Sequence, residues 1–241
     1  MAPVETVEIA VVGAGVVGLA IAQRLAAAGR EVVLIDRDVP GAGASYGNAG
    51  TVADYAVQPV GTPDVLKNLP SLLFDRNSPL AIRRAALPSL MPWLLRFARQ
   101  SLPGAAKANS LALAGLLADA TPRWQALADE IGGADLLQDR GCVYWYQTDA
   151  ALKSAKADLA FRRGLGVTVD LIGADELQRL EPGLPVQGGG GAFFPNARFM
   201  SDPGAMVAKL AESAARRGAS YRRAEVRSLE RDVAGVRLSG E

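Results

Sequence analysis

The sequence predicts an α/β chain whose parallel, doubly wound sheet is interrupted by an inserted, partly helical domain. Three observations carry that reading. A β-branched run, Thr6–Val12, passes through GAGVVG at 13–18 into an apolar-periodic run, Gly15–Ala28. A second apolar run, EVVLID at 31–36, follows Gly29 and ends on an acid. Much later, Ser201-Asp202-Pro203 opens an amphipathic run that Gly218 closes before a third strand-like stretch, Ala219–Arg222. Strand, helix and strand at the first spacing make a right-handed crossover unit of about 30 residues.

In chain order, Thr6–Val12 reads as a buried strand. Gly15–Ala28 reads as a helix with Val17, Ile21, Leu25 and Ala28 on its buried stripe, and Gly29 sits where a C-cap glycine belongs. From Pro59 to Gly133 the chain is rich in Leu, Ala and Pro and reads as helical. Cys142–Tyr146 reads as a strand, because Tyr144, Trp145 and Tyr146 suit a pleated, half-buried surface. Ala151–Gly164 then predicts a helix, Val167–Leu171 a strand, and Ala174–Leu180 a short helix ended by Glu181-Pro182-Gly183. QGGGGAFFPNARF, 187–199, reads as a connector. Met206, Val207, Leu210 and Ala214 mark the buried stripe of the helix after Pro203, and Val226–Glu230 with Gly235–Leu238 read as antiparallel strands. There is no internal repeat. The expected domains are a discontinuous one at 1–135 and 199–241, carrying a helical insert at 59–135, and a partial second one at 136–198.

Composition removes several function classes. With 26 Lys+Arg against 25 Asp+Glu, no global field recruits nucleic acid, and Arg216, Arg217, Arg222 and Arg223 read as a solvated helix end. The chain has no histidine, so histidine triads, shuttles and metal ligands are excluded, and no metal site is expected. The single cysteine, Cys142, reads as a structural thiol and rules out an intrachain disulfide, which fits a reducing compartment. The N-terminus has no basic n-region, so no signal peptide is expected, and no stretch approaches the roughly 18 apolar residues of a membrane span. Pro88–Leu102 places Leu90, Trp93, Leu94 and Phe97 opposite Arg96, Arg99 and Gln100. A packed surface within the helical insert is the preferred reading, and an interfacial membrane helix is the alternative.

Chemistry concentrates at 12–52. Gly13, Gly15 and Gly18 match G-x-G-x-x-G between a strand and a helix. The first glycine permits the tight turn, the second lets backbone approach a pyrophosphate, and the third lets helix pack on strand. Val12, Gly13, Ala14, Gly15, Val16, Val17 and Gly18 are therefore candidate cofactor contacts, with phosphate at the helix N-terminus. Asp36 stands at the right distance to hold a ribose hydroxyl. That much suits NAD or FAD equally.

The loop after Asp36 separates them. In NAD dehydrogenases this segment usually proceeds into another helix and strand, but here it reads DRDVPGAGASYGNAGTV, 36–52. An acid-Arg pair, a Pro/Gly loop, a serine and Asn-Ala-Gly resemble the FAD-dependent amine and D-amino-acid oxidoreductases of DAO type, most closely their D-amino-acid dehydrogenase branch. The likeness continues through SPLAIRRAALPSLMPWLLRF, DRGCVYWY, ADELQRLEPGL, GAFFPNARFMSDPGAMVAKLAESAARRGA and AEVRSLER. The resemblance implies a Rossmann-like FAD domain with Arg37 by the adenosine, Ser45 by the pyrophosphate, Asn48, Ala49 and Gly50 beside the flavin, and the Val226 backbone on the adenine. It implies oxidation of a D-amino acid or related amine to an imine with hydride passed to FAD. The flavin carries the hard chemistry, which suits a histidine-free chain. It further implies a small-molecule amino-acid substrate, a membrane quinone as electron acceptor, and a cytoplasmic chain peripheral at the inner membrane face. It leaves the oligomer open.

The family's chains are longer. Their remaining portion completes the sheet and supplies a second flavin contact and a carboxylate-binding arginine. The expectation is therefore an N-terminal portion, inactive alone, with its catalytic residues unassigned and Tyr55 the only nearby candidate to orient a carboxylate. Tyr46, bulky among small residues, departs from the pattern. Two other readings stay open: an NAD(P)-dependent dehydrogenase, and a cofactor-binding fragment without catalysis.

Overall fold

The computed structural model describes residues 5–68, 84–231, 233 and 235–240. Its first elements are β1 (Ile9–Val12), α1 (Val16–Ala27), β2 (Val32–Asp36), β3 (Thr51–Val52), α2 (Pro63–Lys67), α3 (Leu87–Gln100), α4 (Pro103–Leu117) and α5 (Ala120–Ile131). There follow β4 (Leu137–Gln138), β5 (Cys142–Tyr146), α6 (Asp149–Gly164), β6 (Asp170–Gly173), α7 (Ala174–Leu180) and β7 (Gly190–Phe194). The last are β8 (Arg198–Met200), α8 (Pro203–Arg216), β9 (Ser220–Arg223), β10 (Val226–Arg231) and β11 (Val236–Gly240). The helical expectation for 69–83 lies outside the described residues.

Two compact units emerge, 1–52 with 122–139 and 198–241, and 53–121 with 140–197. Residues 53–121, grouped with the first domain on sequence grounds, cluster instead with 140–197.

In the first unit β1, β2 and β9 form a parallel sheet in that order, with Val12 opposite Ile35 and Asp36 opposite Arg223. Its core gathers Leu19, Ala22, Val32, Leu34, Leu127, Ile131, Met206, Val207 and Leu210. Helix α8 starts where the sequence says, because Asp202 Oδ1 accepts the Ala205 N–H at 2.8 Å and Pro203 takes the first turn. Met206, Val207, Leu210 and Ala214 are buried as expected.

Helix α1 corrects the expected stripe. Leu19, Ala22, Gln23 and Ala26 are buried, whereas Val17 is 70% and Ile21 47% exposed and Ala28 lies outside. VVGLAIAQRLAA is apolar on nearly every side, so periodicity could not choose the face. The one polar residue on the buried face, Gln23, is accommodated by donating to Glu130 at 2.8 Å.

In the second unit β7 lies between β5 and β6, antiparallel to both. The stretch 187–199, expected to be a connector, holds β7 and the start of β8. Glycine disfavours strands in general, but here it is what lets the chain enter. A Cβ at Gly189 would stand 2.0 Å from the Tyr146 carbonyl oxygen, and one at Gly190 2.3 Å from that of Ile172. The neighbouring strand begins at Asp170, later than expected. Residues 167–169 instead close α6, with the Val167 N–H on Arg162 O at 3.1 Å and Val169 O accepting from Arg163.

Candidate cofactor site

At the end of β1 the chain turns through Gly13, at φ +104°, whose N–H donates to Ile35 O at 2.8 Å. Ala14 is buried and its N–H donates to Asp36 Oδ2 at 2.7 Å. Gly15 is the N-cap of α1, without a side-chain cap of its own and with no acid in the first turn. The Val16 N–H instead donates to Ser45 Oγ at 3.0 Å, reaching across 29 residues of sequence. A Cβ on Gly15 would meet that same oxygen at 3.1 Å, and one on Gly18 would stand 1.9 Å from Gly13 O. The glycine spacing is thus enforced by the turn itself.

Asp36 closes β2 with its other oxygen accepting the Asp38 N–H at 2.9 Å. Burial pushes its carboxyl up, but the Asp38 and Ala14 N–H groups and the Arg37 charge together hold it below the usual carboxylate range. Arg37 is exposed, its head beside Asp38 and its carbonyl accepting Arg223 Nε at 2.9 Å. Tyr221 donates to Asp36 O and Asp38 O, and the Ala224 N–H donates to Asp36 O. Sequence reading missed Tyr221 and Arg223. The register of β9 beside β2 brings them to this turn, and no motif records it. Val226 opens β10, two residues after Ala224, and pairs with Gly240 rather than with the turn.

Farther along, Asn48 folds back on its loop. Its amide donates to Ser45 O and its Oδ1 accepts the Gly50 N–H at 2.7 Å. Gly50, at φ +65°, passes its carbonyl to the Met200 N–H at 2.7 Å. A cavity of about 300 Å³ opens among Val16, Ser45, Asn48, Ala49, Gly50, Trp124, Met200 and Met206, at the lower end of the range for small-molecule sites. Tyr46 is not among its walls. The ring is 71% exposed and lies over Gly204 in the first turn of α8. Hydrogen bonds thus tie the Gly13–Gly18 turn to Asp36 and Ser45, and Ser45 to Asn48, in one cradle whose cavity is lined by Val16, Ser45 and Asn48–Gly50. Val12 is half-exposed at the end of β1.

These residues fit a dinucleotide. An uncapped helix N-terminus free of acids, a hydroxyl already held on its first N–H, and a carboxylate kept ionised at the strand end are the donors and acceptors that a pyrophosphate and a ribose require.

Tyr55 belongs to the second unit and is 6% exposed. Its hydroxyl donates to Cys142 Sγ at 3.2 Å, so it is not presented to a ligand. Burial, then that bond, raises its pKa. Cys142 itself is half-buried. The Tyr55 ring stacks on Phe194 at 4.4 Å and meets Tyr144 edge-on at 5.7 Å. Arg162 Nη1 donates to Tyr55 O at 2.9 Å, its Nε to Asp158 at 2.9 Å and its Nη2 to Gln58 at 3.2 Å. Among the described residues no cluster of three His, Cys, Asp or Glu could hold a metal, and no helix is long and apolar enough to cross a membrane.

Comparison with known proteins bears on the cradle. The sequence profile described as "DAO: FAD dependent oxidoreductase" matches residues 8–241. The chain is 34% identical over 237 residues to a D-amino-acid oxidase of Bradyrhizobium diazoefficiens, covering 96% of this chain and 54% of that protein. It is 35% identical over 181 residues to D-amino acid dehydrogenase 2 of Ralstonia nicotianae, covering 73% and 42% respectively. The chain thus spans about half the length of the curated relatives it matches. Glycine oxidase from Geobacillus kaustophilus shares the fold at a TM-score of 0.62 and 24% identity, over 96% of this chain and 50% of that one.

Proposed function

Because the chain belongs to the FAD-dependent oxidoreductase family, we propose that its cradle holds FAD and that the whole protein oxidises a D-amino acid or a related amine to an imino acid. The observation that carries the first half is the α1 N-terminus, uncapped by any side chain of its own, with Ser45 Oγ on the Val16 N–H. In this reading Gly15, Val16 and Ser45 bind the pyrophosphate, Asp36 the ribose, and Arg37 and the Val226 backbone the adenosine side. Asn48, Ala49 and Gly50 flank the ring and keep water from one face. When bound, FAD supplies the hydride acceptor. Hydride leaving an uncharged amine needs no protein base at the carbon. The NAD(P) alternative is set aside by the family.

The substrate class rests on the names of the D-amino-acid oxidase and dehydrogenase relatives. The dehydrogenase likeness supports a membrane quinone as acceptor and a peripheral position at the inner membrane face. Titrating FAD into the 241-residue chain tests the cofactor: a bound flavin spectrum is expected, and Gly15→Val should remove it. Anaerobic addition of D-amino acids to the FAD-loaded full-length protein, at the length of its relatives, then tests the substrate, with bleaching of the flavin band as the expected result and no response across the panel counting against it.

A further inference from the structure

The turn that leaves β2 carries three consecutive carbonyls, and one short segment at the end of β9 holds all three. Asp36 O accepts the Ala224 N–H at 2.9 Å and the Tyr221 hydroxyl at 3.3 Å. Arg37 O accepts Arg223 Nε at 2.9 Å. Asp38 O accepts the same Tyr221 hydroxyl at 2.5 Å. Tyr221 and Arg223 stand two residues apart, so they share one face of the strand. Arg222 between them takes the other face and pairs with Glu5. Register puts them there, because β9 runs parallel to β2 with Leu34 opposite Tyr221 and Asp36 opposite Arg223.

Holding those carbonyls decides where the amides point. In a planar trans peptide the C=O and the following N–H face opposite ways. Tying Asp36 O and Arg37 O to β9 therefore turns the Arg37 and Asp38 N–H groups away from it, toward the Asp36 carboxylate. The Asp38 N–H donates to Asp36 Oδ1 at 2.9 Å, and the Arg37 N–H also favours the ionised form. From the glycine turn, the Ala14 N–H donates to Oδ2 at 2.7 Å. Each carboxylate oxygen keeps a further lone pair for a hydroxyl. The Arg37 and Asp38 side chains cannot set this geometry themselves. They are 72% and 54% exposed, and their ion pair at 3.5 Å is a solvated one.

We infer that Tyr221 and Arg223 are positioning residues for the cofactor, which from behind the turn fix the direction in which Asp36 presents its carboxylate to the adenosine ribose. Neither side chain touches the ribose in this arrangement. They set how much its hydroxyls count in binding. The inference deepens the reading above, in which Asp36 holds the ribose of FAD, and rests on it.

The test compares FAD with an analogue whose adenosine ribose lacks both of its hydroxyls, each titrated into the 241-residue chain and read by flavin fluorescence. The parent should bind FAD about tenfold or more tightly than the analogue, the worth of a hydrogen bond to a charged group. Tyr221→Phe removes one hydroxyl and keeps the ring. It should cut that ratio about threefold or more, by weakening FAD and leaving the analogue's affinity as it was. Arg223→Met should act in the same direction, and Arg223→Lys, which keeps a donor for Arg37 O, should restore part of the ratio. Because both side chains are exposed, thermal melts should stay close to the parent. An unchanged ratio in Tyr221→Phe and Arg223→Met would overturn the inference and leave the ribose assignment standing. Equal weakening of FAD and analogue would also overturn it, as the mark of a merely structural role. A parent that binds FAD without distinguishing the analogue would strike Asp36 as the ribose residue, and a parent that binds no flavin would strike the cofactor assignment. The inference falls with either.

Discussion

The cradle of the first unit and the aromatic sheet of the second are held by opposite means. Around Gly13–Gly18 the decisive atoms are backbone: a carbonyl 1.9 Å from where a Gly18 Cβ would go, and N–H groups turned onto Asp36 and Ser45. In the second unit they are side chains, with Arg162 reaching Tyr55 O and Gln58 across more than 100 residues of sequence. Backbone constraints fix a residue type at a fixed spacing. Side-chain networks tolerate many solutions and leave no such imprint. Substitution should therefore act differently in the two places, through geometry in one and through unpaired polar groups in the other.

The largest effect belongs to Gly18→Val. A branched Cβ against the Gly13 carbonyl forces the turn open, and the slight gain in helix propensity, below about 1 kcal/mol, cannot offset the overlap. Destabilisation of about 3 kcal/mol or more is expected, together with loss of FAD binding, by urea unfolding and cofactor titration. Gly15→Ala sharpens the point. Its Cβ meets only Ser45 Oγ, a hydroxyl that can rotate away, so stability should hold while FAD affinity falls. Parent-like stability in Gly18→Val would mean the turn is softer than its contacts indicate.

Next comes Arg162→Met in the other unit. The Arg162 side chain is 11% exposed and its partner Asp158 38%. Removing the guanidinium leaves the Tyr55 carbonyl without that donor and Asp158 without its cation, but the carboxylate keeps the Gln58 amide and access to water. The cost should therefore fall below the roughly 3–5 kcal/mol of a fully buried pair, to about 2 kcal/mol. The double change Arg162→Met with Asp158→Asn should recover part of it in thermal melts. A single variant that melts with the parent would show the network to be ornamental.

This contrast also explains what could be read from the sequence. β1, β2, the glycine turn and the capped start of α8 were legible, because each depends on local rules of spacing and capping. Gly13, Gly15 and Asp36 stand out by the same local rules, whereas Ser45 is singled out only by the family resemblance. The buried face of α1 was not, because an almost wholly apolar segment offers no phase, and what lies against it is set by α5 and α8. β7 was hidden by its glycines, which composition reads as loop and which the sheet needs for clearance. Tyr221, Arg223 and the Arg162 network become visible only when strands and helices distant in sequence are placed together.

A smaller effect separates the two regions by pH. Asp36 is held below its ordinary value of 3.8 in the folded chain. Its contribution is present above that value and is lost as pH falls through its lowered folded pKa. Asp36→Asn keeps an acceptor for the Ala14 N–H but not the charge. It should be less stable by about 1 kcal/mol at neutral pH, with the difference closing in acid below 3.8. A gap that persists at the acid end of chemical denaturation curves would assign the loss to shape rather than ionisation.

The smallest effect lies in the aromatic sheet, with Tyr55→Phe. The ring keeps its stack on Phe194 and its edge contact with Tyr144, so the apolar burial is unchanged. Only the hydroxyl that donates to Cys142 Sγ is lost. Sulfur is a weak acceptor and Cys142 is only half-buried, so the cost at neutral pH should be about 0.5 kcal/mol. The clearer signature is alkaline. Burial raises the Tyr55 pKa above its ordinary value of 10.0, so folding favours the neutral phenol. That preference is fully present below pH 10.0 and stability falls as pH rises beyond it, because the unfolded chain ionises first. Tyr144 and Tyr146 are raised too, mainly by burial, and share this alkaline loss. Tyr55→Phe should therefore shallow the alkaline decline in thermal melts without abolishing it. The variant and the parent, separated slightly at neutral pH, should converge and then cross as pH rises above 10.0. Parallel curves would mean that the buried hydroxyl is not the group being titrated, and that the second unit opens to water before Tyr55 is asked to ionise.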